Sequence, residues 1–166
     1  MKHLLFVLAW CATTAQAGPS PLQDWQLAGE SEMRFLGFRI YEIRLWRPAS
    51  GRQDGGAYAL ELEYARSFRG ADIVDRTLAE IRGQGFRDEA RLARWGAALS
   101  RIFPDVQRGD RLIGVAVPGV EARFHTPARM LGRIADPEFV DAFFAIWLSE
   151  RTSAPHVRRQ LLATQP

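Results

Sequence analysis

Residues 33–46, MRFLGFRIYEIRLW, constrain the fold of this chain more than any other segment. Phe35, Phe38, Ile40, Tyr41, Ile43 and Trp46 all fall within it. β-branched and aromatic side chains fit a pleated, half-buried surface, so Met33–Trp46 is predicted as one long strand. Its two-residue alternation does not run through. Leu36, Phe38 and Ile40 share one parity, but Glu42 and Arg44 follow on it. On the other parity Arg39 gives way to Tyr41, Ile43 and Leu45. An offset of one residue exchanges the two faces of a strand, so the core side must change near Ile40–Tyr41. Either a bulge sits there or the strand is covered on both faces. Tyr41 lies at the change, where a polar atom can be aimed into a pocket.

Residues 1–17 read as a secretory signal peptide and are set apart from the fold. Met1-Lys2-His3 is a positive start, Leu4–Cys11 an apolar run too short to span a membrane, and Ala15-Gln16-Ala17 an A-x-A cleavage site. Lipidation at Cys11 is disfavoured, because Trp10 stands where a small residue belongs. No later apolar run approaches the ~20 residues of a membrane helix. The expectation is an exported, soluble protein, periplasmic or secreted, with one domain over residues 18–166. Cys11 is the only cysteine, so the mature chain would have no disulfide, thiol nucleophile or thiolate metal site. A chain of this length can bury one hydrophobic core without such staples.

Lys2 is the only lysine, and without it 21 arginines stand against 19 acidic residues. Arginines and acids are interspersed and no block of like charge stands out. Nucleic-acid binding is therefore not expected, despite the basic isoelectric point.

Further elements follow from periodicity. Trp25–Ala28 is predicted as a first strand, turning through Gly29. Tyr58, Leu60, Leu62 and Tyr64 alternate with Glu61 and Glu63, the pattern of an antiparallel strand with one solvated face. Ile73, Thr77, Leu78 and Ile81 have helical spacing, stopped by Gly83 and Gly85. Leu92, Trp95, Leu99, Ile102 and Phe103 give a second helix, ended by Pro104. Strands return at Asp110–Val117, Val120–His125 and Met130–Ile134, with a turn at Pro118-Gly119. Asp136-Pro137-Glu138 opens a helix bearing Phe139, Val140, Phe143, Phe144 and Trp147. A last helix starts near Ser153-Ala154-Pro155. Three strands, two helices, three strands and two helices indicate an α+β fold, an antiparallel sheet with helices packed on one face.

Motifs for catalysis are weak. His125 and His156 lack a second ligand at metal spacing, so no metal is expected. Ser67, Ser100 and Ser153 stand in no nucleophile motif, and Ser153 reads as a helix cap. Gly83-Gln84-Gly85 follows a helix, which makes it a C-terminal stop and not a phosphate loop. The aromatic inventory carries more. Sheet and helix layer can close over an apolar ligand, with Trp95 and Phe143 as wall and Tyr41 at the polar end. Arg34 and Arg39 are the arginines nearest the face change and the candidates for holding a carboxylate. Core packing and exposed strand arginines are the plainer readings of these residues.

Several segments together resemble the chalcone isomerase family in its bacterial, exported branch. They are Gly29 with MRFLGFRIYEIRLW, ALELEYARSFRG into Ile73–Ile81, IFPDVQRGDRLIGVAVPG, GRIADPEFVDAFFAIWLSERTS and the tail Pro155–Leu162. The resemblance covers nearly the whole mature chain and implies a chalcone isomerase-like open-faced sandwich. In the plant enzymes it implies a pocket between sheet and helices, with an upstream Arg and a strand Thr polarising the substrate ketone. Tyr41 matches the Thr position, as in the fatty-acid-binding relatives. The Arg position falls at or near Gly29, so the Arg is missing. The family's helical Tyr and Asn would lie within residues 66–81, which contain neither, and the chain has no Asn.

The leading expectation is a non-catalytic exported protein that binds an apolar or amphipathic small molecule such as a fatty acid. Tyr41, Arg34, Arg39, Trp95 and Phe143 are its candidate binding residues, and no cofactor is expected. An isomerase or lyase acting on another substrate, and a ligand-free structural protein of the cell envelope, are the alternatives.

Overall fold

The structure, a computed structural model, describes residues 20–49 and 56–163. The leader reading of residues 1–17 lies outside them. Six strands run in chain order across one antiparallel sheet. They are β1 (Trp25–Phe35), β2 (Phe38–Pro48), β3 (Tyr58–Tyr64), β4 (Arg111–Val117), β5 (Glu121–His125) and β6 (Met130–Ile134). Helices α1 (Gly70–Gly83) and α2 (Glu89–Ile102) leave and return between β3 and β4, which remain neighbours. Helices α3 (Pro137–Leu148) and α4 (Pro155–Ala163) follow the sheet. The α+β class and the expected order of strands and helices hold.

The single strand expected over Met33–Trp46 is instead the two arms of a hairpin. Leu36 and Gly37 take φ values of 49° and 83°, the positive pair that a type I′ turn needs, and Phe35 pairs with Phe38 across it. Strand β1 accordingly reaches to Phe35 and does not stop at Gly29. The face change has its own cause. Arg39 pairs with Arg34, but Tyr41 pairs with Met33, leaving Ile40 as an extra residue in β2. This bulge turns Tyr41, Ile43 and Leu45 toward the helices, and Ile43 and Leu45 are fully buried.

The core lies between sheet and helices. Leu60 of β3, Ala116 of β4 and Phe124 of β5 face Phe139, Phe143 and Phe144 of α3. Phe124 and Phe143 meet edge to face, with ring centres 5.2 Å apart. Asp136 caps α3 as its sequence requires, accepting from the amides of Glu138 (3.0 Å) and Phe139 (3.4 Å). Capping at the α4 entry comes from Thr152 rather than Ser153: the Thr152 hydroxyl donates to the Ile146 carbonyl and accepts from the Ala154 amide.

The opposite face of the sheet is less solvated than its alternation implies. Glu61 is buried there. It accepts from Trp46 Nε1 at 3.1 Å and faces Arg44 and Arg111. Beside it Leu22 and Trp25, from the segment leading into β1, pack on Ala59, Ile113 and Val115. A buried carboxylate survives here because a donor and two cations surround it.

Candidate functional site

A cavity of about 370 Å³ opens between the hairpin end of β1–β2 and helix α1. That volume lies within the range of small-molecule pockets, ~300–1,000 Å³. Its floor is the helix-facing side of the sheet, with Leu60, Leu62, Leu112 and Gly114. Phe103, Phe143 and Ile146 close it from the helix layer. Met33, Phe35 and Ile40 form the hairpin rim, and Asp72, Arg76 and Glu80 of α1 the opposite rim. The bulge lets consecutive residues Ile40 and Tyr41 both line the cavity, which regular alternation forbids.

Gly114 sits mid-strand on β4, where a glycine ordinarily weakens a sheet. A Cβ there would come within 3.4–3.6 Å of Phe144, Phe124 and Phe143. The missing side chain leaves floor space beneath the aromatic stripe.

The polar inventory of the cavity is small. Tyr41 accepts a hydrogen bond from Trp147 Nε1 at 2.9 Å. Its ring meets Tyr64 edge to face at 6.0 Å. Among the described residues neither tyrosine hydroxyl has an acceptor for its own proton. Burial pushes the Tyr41 hydroxyl up to about 12; the Trp147 hydrogen bond opposes this, Glu80 adds to it and Arg76 opposes it. Tyr64 is also raised, by burial and then by Tyr41. Thr77 spends its hydroxyl on the Ile73 carbonyl at 2.8 Å. At the rim Arg76 is paired with Glu80, one helical turn on. Tyr41 is thus a firm hydrogen-bond donor at neutral pH. Its raised pKa makes it a poor proton donor, since general acids work best near the operating pH.

The five residues singled out from the sequence separate into two groups. Tyr41 and Phe143 line the cavity. Arg34 and Arg39 are exposed on the hairpin, away from the cavity lining. Arg34 is bound to Glu32 at 2.6 Å and donates to the Gly37 carbonyl at 3.3 Å. Trp95 is buried under α3 and donates to Asp136 at 2.9 Å, so its indole ties α2 to the start of α3. Tyr64, Thr77, Arg76 and Trp147 belong to the cavity but were not singled out. Trp147 had a signal, since it lies one helical turn from Phe143 on the same stripe. Arg76 had none, because an i,i+4 pair with Glu80 reads as solvated helix surface.

Gly29, at the expected position of the missing Arg, marks where α4 crosses β1. A Cβ on Gly29 would fall 2.1 Å from the Leu161 carbonyl oxygen. No side chain fits at this position, and Ser31 next along β1 hydrogen-bonds Gln160 of α4.

No family model matches the sequence, and no curated protein matches it. Among solved structures the chain is similar to a fatty-acid binding protein of Arabidopsis thaliana. The TM-score is 0.64 at 9% identity, over 84% of this chain and 87% of that one. The likeness is one of fold. The architecture is the chalcone isomerase-like open-faced sandwich.

Proposed function

We propose that this protein holds an amphipathic small molecule of the fatty-acid class in the cavity between sheet and α1, and does no chemistry on it. The observation that carries the reading is an apolar cavity lined by a half-buried tyrosine, Tyr41, whose hydroxyl has an unspent proton. An alkyl chain would occupy the Leu60, Leu62 and Phe143 region, gaining about 0.8 kcal/mol per methylene removed from water. The headgroup would accept from Tyr41, and Arg76 would exchange Glu80 for the ligand carboxylate. Arg76 thereby replaces the absent upstream arginine from a different element. The fatty-acid binding protein of shared fold supports the ligand class. The lack of a helical Tyr and Asn in residues 66–81, with the high pKa of Tyr41, supports a binding role over catalysis.

Displacement of a fluorescent fatty acid by unlabelled palmitate tests the reading, with Leu62→Trp as the cavity-filling variant. Saturable binding, lost in Leu62→Trp and weakened in Arg76→Gln, is the expected result. Binding that survives Leu62→Trp unchanged would place the ligand elsewhere.

The reading includes export, with residues 1–17 removed and the domain acting in the periplasm or outside the cell. The A-x-A site at Ala15–Ala17 supports it. N-terminal sequencing after expression with the native leader tests it, with Gly18 as the expected first residue.

A further inference from the structure

The end of the β1–β2 hairpin leaves apolar side chains largely in water. Phe35, Leu36 and Phe38 are 61%, 82% and 57% exposed. A type I′ turn favours Asn-Gly, because Asn tolerates positive φ and Leu does not. Leu36 nevertheless holds φ 49° at the apex, strained and almost bare. A residue that disfavours the turn and buries nothing is explained by something outside the chain.

Charge around the tip says what that is. Arg66 lies 4.7 Å from the centre of the Phe38 ring. Arg39 is exposed and has no ion-pair partner among the described residues. Arg34 and Arg69 are neutralised by Glu32 and Asp72, each pair at 2.6 Å. The tip therefore presents three apolar side chains with two uncompensated cations beside them. Apolar insertion combined with nearby arginines is the chemistry of an anionic lipid interface.

We propose that the hairpin tip docks this protein on anionic lipid bilayers, with Leu36 and the phenylalanines in the interface and Arg39 and Arg66 on the headgroups. Phe35 also lines the cavity, so docking turns the cavity mouth toward the membrane. A single hairpin tip gives weak and reversible attachment, suited to visiting a membrane rather than residing in it. Use of the docked state for ligand exchange rests on the binding function proposed above; docking itself does not.

Co-sedimentation with vesicles tests the inference. The chain from Gly18 onward, without the apolar leader, is expected to bind vesicles of phosphatidylglycerol and phosphatidylcholine in equal parts, and to bind phosphatidylcholine alone far less. High salt should weaken the binding. Leu36→Asn should lower affinity about tenfold, the loss when one leucine no longer leaves water. Its melting temperature should rise, because the turn gains its preferred residue, and its fatty-acid affinity in solution should stay unchanged. Arg39→Gln with Arg66→Gln should weaken binding to the anionic vesicles only. Equal vesicle binding by wild type and Leu36→Asn would overturn the proposal, as would no binding by wild type. Dimers that dissociate in Leu36→Asn, without vesicle binding, would overturn it in favour of a second copy at the tip. Vesicle binding by a protein that takes up no fatty acid would uphold docking and overturn the ligand reading alone.

Discussion

The indole of Trp147 donates a 2.9 Å hydrogen bond to the hydroxyl of Tyr41, joining α3 to β2 across 106 residues of chain. One polar contact inside an aromatic core thus sets the position of the only β2 hydroxyl at the cavity. Tyr41→Phe leaves the Trp147 N–H without its acceptor and should cost about 1–3 kcal/mol of stability. It should also weaken fatty-acid binding about tenfold through loss of the donor to the headgroup. Urea denaturation and ligand titration of Tyr41→Phe, Trp147→Phe and the double variant measure both. A double variant no less stable than Tyr41→Phe alone would show that the pair acts as a unit.

Two buried glycines should differ sharply in their tolerance of alanine. At Gly29 the new Cβ meets the backbone of α4 at 2.1 Å, which rotamer changes cannot relieve. Gly29→Ala should therefore cost about 3 kcal/mol or more and loosen α4 from β1. At Gly114 the new Cβ makes ordinary contacts of 3.4–3.6 Å with aromatic rings. Gly114→Ala should leave stability within about 1 kcal/mol of wild type, because β propensity offsets the crowding. Thermal melts separate the two, with amide exchange in α4 as the local readout.

Asp136 serves two purposes, capping α3 and accepting from Trp95. Asp136→Ala should cost about 2 kcal/mol, the cap and the indole partner each contributing roughly half. Because Trp95 lies outside the cavity lining, fatty-acid affinity should not change at temperatures where the variant is folded. Denaturation and titration on the same preparation check both halves.

Alkaline pH should destabilise the fold once it passes the point at which an unfolded tyrosine ionises. Burial, opposed in part by the Trp147 hydrogen bond, raises Tyr41 to about 12. Burial and Asp141 raise Tyr58 to about 12 as well. An unfolded tyrosine titrates near 10. Between pH 10 and 12 the folded state holds protons that the unfolded state has lost, so stability falls as pH rises. Each such tyrosine contributes a slope of up to about 1.4 kcal/mol per pH unit in that window and nothing below it. Urea midpoints from pH 8 upward should fall beyond pH 10, less steeply in Tyr41→Phe.

Much of the architecture is legible in local pattern. Alternation at Tyr58–Tyr64 identifies a strand and its inward side; at Val120–His125 it identifies a strand with Ala122 and Phe124 inward, although Val120 is exposed and Glu121 buried. The capping set Asp136-Pro137-Glu138 places the start of α3 to the residue. The face change at Ile40–Tyr41 is a real bulge, detectable because a bulge shifts parity. The turn at Leu36-Gly37 was hidden, because Leu at the first position of a type I′ turn gives no turn signal. Glu61 was misjudged as solvated for another reason. What surrounds it is Trp46 and Arg44 of β2 and Arg111 of β4, on neighbouring strands that no periodicity within β3 can reveal.

The sequence by itself determined the order of elements, their inward faces and the α+β class, because those depend on side-chain period within short windows. It also placed Tyr41 on the pocket side. Only the tertiary structure decided which residues share the cavity. Arg76 reaches the rim because α1 lies over β2 and β3, while Trp95 is held away from it beside Asp136. Arg34 and Arg39 are carried outward because the hairpin turns at Leu36. Local pattern says which side of an element leaves water. It does not say what the element will meet there, since that is set by contacts between residues as far apart as Tyr41 and Trp147.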